Sequence, residues 1–323
     1  MTYASVTFDS GGVNCDAWHF RGSGDRYTGP AGRPILVMAH GIAGTKDSGL
    51  EAFAERFSDA GIDVFAFDYR GFGASQGWPR QLVSVTRQLD DYRAAVAAAR
   101  RLPDIDPQRV ILWGVSFSGG HVLRVAADRT DIAAVIALTP LTSGAAAGRL
   151  AVAQRDALTG MRWTVAGVKG RILAAMGGNA VSMPVVGCPG EAGALTLEGA
   201  YENYLSMAGP TWRNEIDASV GLQLALVRSS GAAKKIRCPL LVQIADFDRF
   251  VPADSVAKVA VRGRAEVHHY PCDHFDVWPG HDWFAKAVDH QLAFVTRSLA
   301  KAVDKAQPPG GRSRSSRRAA GLR

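Results

Sequence analysis

The hydrophobic pattern of the chain alternates between two kinds of segment. Short, continuous runs of apolar residues have the length and composition of strands that are buried on both faces. These runs are residues 34–40, 63–68, 110–113, 132–138 and 239–245, and a further strand is predicted at 265–270. Apolar residues at helical spacing predict helices at residues 48–59, 82–101, 253–259 and 282–302, and directly after the run 110–113. Strands that alternate with helices predict an α/β fold, in which a mostly parallel sheet carries helices on both faces.

Two shorter runs near the start of the chain alternate between apolar and polar positions. They cover residues 5–8 and 14–20, on either side of the turn sequence Asp-Ser-Gly-Gly at residues 9–12. This pattern predicts a β-hairpin, which is compatible with an antiparallel edge on a mixed sheet.

The alternation of strands and helices breaks between residues 141 and 235. Helical patterns cover residues 143–166, 170–176 and 211–227, and residues 177–193 form a Gly- and Pro-rich loop. The segment begins and ends at predicted core strands rather than at linkers, which favours an insertion over an independent domain. We therefore predict an α/β core at residues 1–140 and 236–304, with a mostly helical cap at 141–235 above the carboxyl edge of the sheet.

The run 110–113 leads into Gly-Val-Ser-Phe-Ser-Gly-Gly at residues 114–120 and then into a helical pattern. A strand that turns sharply into a helix with a serine at the turn is typical of a nucleophile elbow, with the spacing G-x-S-x-G. The strained turn needs small neighbours, and Ser118 stands where the usual pattern has glycine. We predict that Ser116 is the nucleophile, ahead of Ser118, which would lie in the first helical turn. A phosphate-binding loop is disfavoured, because no Lys-Ser or Lys-Thr pair follows the glycines.

A serine nucleophile needs a histidine as general base. His274 is the predicted base, because it follows the strand 265–270 in a loop at the strand's carboxyl end, where open α/β sheets meet their ligands. The alternative is an ordinary loop histidine held by Asp273 or Asp276.

The base needs an acid that orients it, and the chain order Ser, acid, His is that of the α/β-hydrolases. Asp248 is the predicted acid, because it lies in the loop after the strand 239–245. Asp246, nearer to the end of that strand, is the alternative.

Two backbone N–H groups should form an oxyanion hole. One is expected from Phe117, directly after the nucleophile, and the other from Ile42, in the Gly-rich loop after the strand 34–40.

Taken together, these motifs resemble those of the α/β-hydrolase superfamily over residues 34–302. The resemblance rests on His-Gly at 40–41, Asp-Tyr-Arg-Gly-Phe-Gly-Ala-Ser at 68–75, the elbow at Ser116, Asp248 before Val-Pro, and His274 before Phe275. The sequences at 73–80 and 113–123 are similar to a subgroup near the dienelactone-hydrolase-like and X-Pro-dipeptidyl-peptidase-like proteins, which includes acyltransferases of fungal polyketide pathways. The resemblance implies acyl chemistry and leaves the substrate open.

The net charge of +7 comes from the end of the chain. Residues 305–323 contain six Lys and Arg residues and no acid, which leaves 31 basic and 30 acidic residues elsewhere. This stretch has few apolar residues to bury, so we predict a disordered basic tail. A solvated tail without a specific partner is favoured over binding to nucleic acid.

Other features of the composition indicate where the protein works. No apolar run approaches the roughly 20 residues of a membrane span, and no secretory signal is visible at the N-terminus. The four cysteines have no CxxC spacing, which disfavours a metal or disulfide framework and favours the cytoplasm.

The predicted function is that of a serine hydrolase, such as a carboxylesterase or thioesterase, that needs no cofactor or metal. Acyl transfer and peptide hydrolysis would use the same triad, and a non-catalytic binding protein would usually lack one of its members. Epoxide and haloalkane hydrolysis would need aspartate in place of Ser116. The cap is rich in apolar residues and carries the aromatic residues Trp163, Tyr201, Tyr204 and Trp212, so we expect a small-molecule acyl substrate whose acyl or alcohol group is apolar. The oligomeric state is left open.

Overall fold

The computed structural model describes residues 3–154 and 181–306, and an eight-stranded sheet forms its centre. The strands of this sheet are β1 (Tyr3–Asp9), β2 (Asn14–Phe20), β3 (Arg33–Ala39), β4 (Asp63–Phe67), β5 (Ile105–Val115), β6 (Ala134–Leu138), β9 (Leu240–Ala245) and β10 (Glu266–Tyr270). Their order across the sheet is β1-β2-β4-β3-β5-β6-β9-β10. All pairs from β4 to β10 are parallel, and β1 and β2 add an antiparallel edge. The predicted α/β fold with its N-terminal hairpin is therefore confirmed.

Nine helices lie in the described part of the chain. They are α1 (Leu50–Asp59), α2 (Val85–Ala99), α3 (Ser116–Val125), α4 (Gly144–Ala153), α5 (Ala200–Met207), α6 (Val220–Leu224), α7 (Ser230–Ala233), α8 (Ala253–Gly263) and α9 (Phe284–Ala306). Helix α1 packs against α9, whereas α2 packs against α3, so helices cover the sheet on both faces. No helix in residues 3–154 or 181–306 is both long and apolar enough to cross a membrane.

The centre of the sheet is buried as the apolar runs predict. Every residue of β4, β6 and β9 is buried, because helices cover both faces of these strands. Tyr92 of α2 fixes this helix to the sheet, since its hydroxyl donates to the carbonyl of Val37 and lies 2.8 Å from that of Trp113. The indole of Trp113 in turn donates to Gln291 of α9 on the other face of the sheet. The strand that leads to the elbow is thereby held from both faces.

The elbow strand is longer than the sequence predicts. The apolar run covers residues 110–113, but β5 begins at Ile105, and its register against β3 shifts between Arg33 and Ile35. A local irregularity suits this part of β5 because Pro107, inside it, has no N–H to donate.

The segment between β6 and β9 differs most from its prediction. The predicted helix at 211–227 is wrong: β8 (Ile216–Asp217) lies within it and pairs with β7 (Ser182–Met183), and only α6 is helical. The backbone N–H groups of Asp217 and Ala218 donate to Gln81 and Val181, so tertiary partners replace the i→i−4 bonds of a helix.

Helix α5 was not predicted, and it follows Gly199, which has φ of 79°. The predicted helix at 143–166 begins with α4, but its remainder and the predicted helix at 170–176 lie outside the described residues. Helix α9 continues to Ala306, and the rest of the predicted basic tail also lies outside them.

Candidate active site

Ser116 stands at the junction of β5 and α3, with φ of +54°. This left-handed conformation is unfavourable for a residue with a Cβ, at a cost of roughly 1–3 kcal/mol, and it persists only where the surroundings impose it. Gly114 permits the tight turn on one side, because a Cβ there would lie 2.4 Å from the carbonyl oxygen of Ser118. Gly119 permits it on the other side, because its Cβ would lie 2.8 Å from Pro140. The strand–turn–helix geometry that the sequence predicts around Ser116 is present.

Ser118 is fully buried, and its hydroxyl is engaged within the backbone. The Oγ atom donates to the carbonyl of Ala39 at 2.7 Å and accepts from the N–H of Val115 at 2.9 Å. A glycine at this position could make neither bond. The departure from the G-x-S-x-G spacing therefore ties the elbow to the end of β3.

The structure brings His274 and Asp248 together with Ser116. The Nε2 atom of His274 lies 3.1 Å from Ser116 Oγ, and its Nδ1 atom lies 2.6 Å from Asp248 Oδ2. Asp248 follows β9 and His274 follows β10, so both side chains reach Ser116 across the carboxyl edge of the sheet. The other oxygen of Asp248 accepts from the N–H groups of Phe250 and Val251, at 2.8 and 2.7 Å, which fixes the orientation of the carboxylate.

Two opposing effects act on the pKa of His274. Burial of the ring lowers its pKa, but the charge and hydrogen bond of Asp248 outweigh burial, and the net effect raises the pKa above 6.5. The side chains of His274 and Asp248 are only 7% and 3% exposed, so water screens their attraction weakly.

The alternative residues have other partners. The carboxylate of Asp246 lies 2.6 Å from Nδ1 of His269 on the exposed side of β10. His121 is buried in α3 beside Gln88, and burial lowers its pKa to about 3. Asp273 accepts from the backbone N–H of His274 rather than from its ring. Among these histidines and aspartates, only His274 and Asp248 form a connected chain to Ser116 in the part of the protein that the structure describes.

The loop after β3, residues 40–49, passes close to Ser116 and is called the β3 loop below. A Cβ on Gly41 would lie 3.3 Å from the Cβ of Ser116, so glycine permits this approach. Ile42 follows at once and lines a pocket together with Ser116. Phe117 is the second residue of α3, so its N–H is among those that have no partner within the helix. The roles of Ile42 and Phe117 as oxyanion donors stay a prediction.

A small pocket lies beside Ser116 and opens to solvent. Its apolar and aromatic walls come from the β3 loop, from α5 and from the loop after β10. These residues are Ile42, Tyr204, Met207, Phe275 and Trp278. Among the described residues, no group of three or more His, Cys, Asp or Glu side chains is arranged to hold a metal ion.

Sequence reasoning missed two contacts at this site. Tyr204 and Trp212 donate hydrogen bonds to the carbonyls of Ile42 and Ala43, residues 162 and 169 positions earlier in the chain. Both aromatic residues were expected only as apolar parts of a cap. An aromatic residue in a segment of irregular pattern carries no local signal of a backbone partner so far away.

Both a family model and a protein of similar sequence match most of this chain. The family model described as the alpha/beta hydrolase fold matches residues 34–280. The quorum-quenching protein AidA of Acinetobacter baumannii (strain MDR-ZJ06) is 35% identical over 295 residues, which are 90% of this chain and 94% of that protein.

Two further similarities concern a part of the sequence and the fold, respectively. The thiohydrolase aneE of Aspergillus aculeatus is 39% identical over 140 residues, 43% of this chain and 42% of that protein. The crystal structure of the alpha/beta hydrolase GrgF from Penicillium sp. sh18 superposes with a TM-score of 0.75 over 93% of this chain and all of that one, at 22% identity. The similarity to GrgF therefore concerns the fold.

Proposed function

Because the chain belongs to the α/β-hydrolase fold family, we propose that it is a serine hydrolase that cleaves a carboxylic ester or thioester through an acyl-enzyme on Ser116. The observation that carries the proposal is the connected chain of Ser116, His274 and Asp248, with distances of 3.1 and 2.6 Å. These are the distances over which a nucleophile, its base and an orienting acid cooperate.

In the acylation step, Ser116 Oγ attacks the carbonyl carbon while its proton passes to Nε2 of His274. Asp248 accepts a hydrogen bond from Nδ1–H and stabilises the imidazolium that forms. The developing oxyanion is held by the N–H groups of Phe117 and Ile42. The intermediate then collapses, and His274 returns the proton to the departing alcohol or thiol.

Deacylation repeats the same chemistry with water as the nucleophile. His274 takes a proton from water, the hydroxide oxygen bonds to the acyl carbon, and the proton returns to Ser116 Oγ as the free acid leaves. Transfer to another alcohol or to an amine differs only in the molecule that takes the place of water. The triad is complete, which disfavours a non-catalytic binding protein.

The names of two similar proteins suggest a class of substrate. AidA, similar over nearly the whole chain, is named a quorum-quenching protein, and aneE is named a thiohydrolase. Cleavage of an acyl ester or thioester of a small molecule, for example of a bacterial signalling molecule, agrees with both names and with the apolar and aromatic walls of the pocket beside Ser116.

A series of nitrophenyl esters and acyl thioesters tests the proposal. Each methylene buried against Met207, Phe275 and Trp278 should contribute about 0.8 kcal/mol, or roughly fourfold in kcat/KM, until the pocket is full. The measurement is kcat/KM for straight acyl chains from two carbons upward, with Ser116→Ala protein as the blank. Rates equal to the blank for all substrates would refute ester and thioester cleavage. A flat series would refute only the apolar preference.

The pH profile of kcat/KM gives a second test. His274 must be neutral at Nε2 to accept the proton, so activity should rise with pH through the pKa of the free enzyme. Because Asp248 raises this pKa above 6.5, the midpoint of the acid limb should lie above 6.5. Thermal unfolding at each pH controls for acid denaturation. A midpoint at or below 6.5 in folded protein would mean that another group limits the reaction.

A further inference from the structure

The segment inserted between β6 and β9 touches the β3 loop at two successive carbonyl groups. The hydroxyl of Tyr204, in α5, donates to the carbonyl of Ile42 at 2.6 Å. The indole N–H of Trp212 donates to the carbonyl of Ala43 at 3.0 Å. The two rings lie 5.2 Å apart, so the two donors form one aromatic pair.

These two carbonyls lie on either side of a strained residue. Ala43 has φ of +51°, a left-handed conformation that alanine adopts only where neighbouring groups enforce it. The peptide units before and after the Cα of Ala43 are those whose oxygens Tyr204 and Trp212 hold. With both oxygens bonded, neither peptide unit can rotate without the loss of a hydrogen bond.

The peptide unit just upstream carries the predicted oxyanion donor. Its carbonyl, that of Gly41, lies 2.8 Å from Nδ1 of His40, and its N–H is that of Ile42. In a trans peptide these two groups point in opposite directions. The direction of the Ile42 N–H is therefore set by His40 on one side and by the peptide that Tyr204 holds on the other.

The inserted segment is seated closely along the rest of the β3 loop. The N–H of Thr211 donates to Asp47 at 2.9 Å. A Cβ on Gly209 would lie 2.3 Å from the carbonyl oxygen of Asp47, so the two backbones approach as closely as glycine allows. On its other side the loop is bonded to the core, because Lys46 of the loop donates from both its backbone N–H and its ammonium group to the carboxylate of Asp68. The loop is thus held by the core below and by the inserted segment above.

We propose that Tyr204 and Trp212 are positioning residues, through which the inserted segment holds the β3 loop in the conformation that directs the Ile42 N–H at the oxyanion. The inference rests on the proposed serine-hydrolase function. It assigns the inserted segment a part in the chemical step as well as in the wall of the pocket. Oxyanion stabilisation needs donors that are fixed before the charge develops, because their reorganisation would otherwise raise the barrier.

The test removes one hydrogen-bond donor at a time. Tyr204→Phe keeps the ring that lines the pocket and removes only the hydroxyl, and Trp212→Phe removes the indole N–H. Loss of an oxyanion donor itself lowers kcat by about 10²- to 10³-fold. Loss of a group that positions the donor should lower kcat by roughly 10- to 100-fold, with KM changed by less than about twofold. Tyr201→Phe is the matched control, since it makes the same change on α5 at a residue outside the pocket walls.

A second readout separates positioning from simple destabilisation. A trifluoromethyl ketone with the preferred acyl chain forms a tetrahedral adduct on serine and carries the oxyanion. Its inhibition constant should rise in each variant by the same factor as kcat/KM falls, because both report the same stabilised charge. Thermal unfolding identifies any variant that does not fold, and the other variant then decides the result.

The outcomes are distinct. If wild-type protein cleaves esters but Tyr204→Phe and Trp212→Phe keep the kcat and inhibition constant of Tyr201→Phe, the positioning role is refuted and the proposed function stands. A rise in KM alone would refute it equally, because it would assign both residues to substrate binding. If wild-type protein cleaves no ester and takes no fluorophosphonate label on Ser116, the proposed function itself fails.

Discussion

Replacement of Ser116 by alanine should lower kcat on the preferred ester by about 10⁵- to 10⁶-fold, because nucleophile, base and acid act as a unit. The residual rate should come from binding and the oxyanion donors. Alanine removes only Oγ, and the left-handed backbone at Ser116 already accommodates a Cβ, so the fold should be retained. Steady-state kinetics and labelling by a fluorophosphonate probe measure the effect, and thermal unfolding confirms that the variant is folded.

Ser118→Ala is the matched control on the same turn. Its hydroxyl bonds to Ala39 and Val115, so its loss leaves buried backbone groups without partners, at about 1–3 kcal/mol in the free energy of unfolding. The variant should be less stable but should still be labelled on Ser116. If Ser116→Ala kept the label and Ser118→Ala lost it, the nucleophile would have to be reassigned to Ser118.

Asp248→Asn should lower kcat by about 10⁴-fold through the wrong tautomer of His274. The N–H groups of Phe250 and Val251 both point at Oδ1, so the amide oxygen of asparagine must take that place. The amide NH₂ then faces Nδ1 of His274, which must act as an acceptor, so the neutral ring adopts the tautomer that carries its hydrogen on Nε2. A protonated Nε2 cannot accept the proton of Ser116, although every heavy atom stays in position.

Asp246→Asn tests the same change on a carboxylate that contacts a different histidine. Because Asp246 lies beside the exposed His269, its loss should change kcat by no more than a few-fold. Parallel measurements of kcat on both variants decide between the two acids. The opposite ranking would make Asp246 the orienting acid.

Several features of the fold could be read from local sequence. The strands at 63–68 and 239–245 consist mostly of apolar residues, because helices cover both faces of these strands. The elbow is equally local, since the strain at Ser116 requires small neighbours such as Gly114 and Gly119 within a few positions. Patterns of this kind succeed where the physical cause and the affected residue are close in the chain.

In the inserted segment, residue spacing did not predict the local structure correctly. Its helical spacing at 211–227 was overridden, because Asp217 and Ala218 found backbone partners in Gln81 and near β7 instead of one turn back. Helix propensity differs between ordinary residues by less than about 1 kcal/mol, so a few tertiary hydrogen bonds are enough to reverse it. The contacts of this segment with the core therefore select its local structure.

Local sequence patterns alone predict the α/β fold, the hairpin edge and the elbow, and they narrow the candidate site to a favoured serine, two aspartates and a favoured histidine. The sequence favoured Asp248 over Asp246, and the tertiary structure adds which histidine each reaches: Asp248 lies against His274 and Asp246 against His269. The tertiary structure also revealed that Tyr204 and Trp212 hold the β3 loop. The reason is that parallel strands bring their carboxyl ends to one edge, so residues 158 positions apart, such as Ser116 and His274, meet there. Contacts across that edge depend on the direction of each side chain in the folded chain, which periodicity along the sequence does not encode.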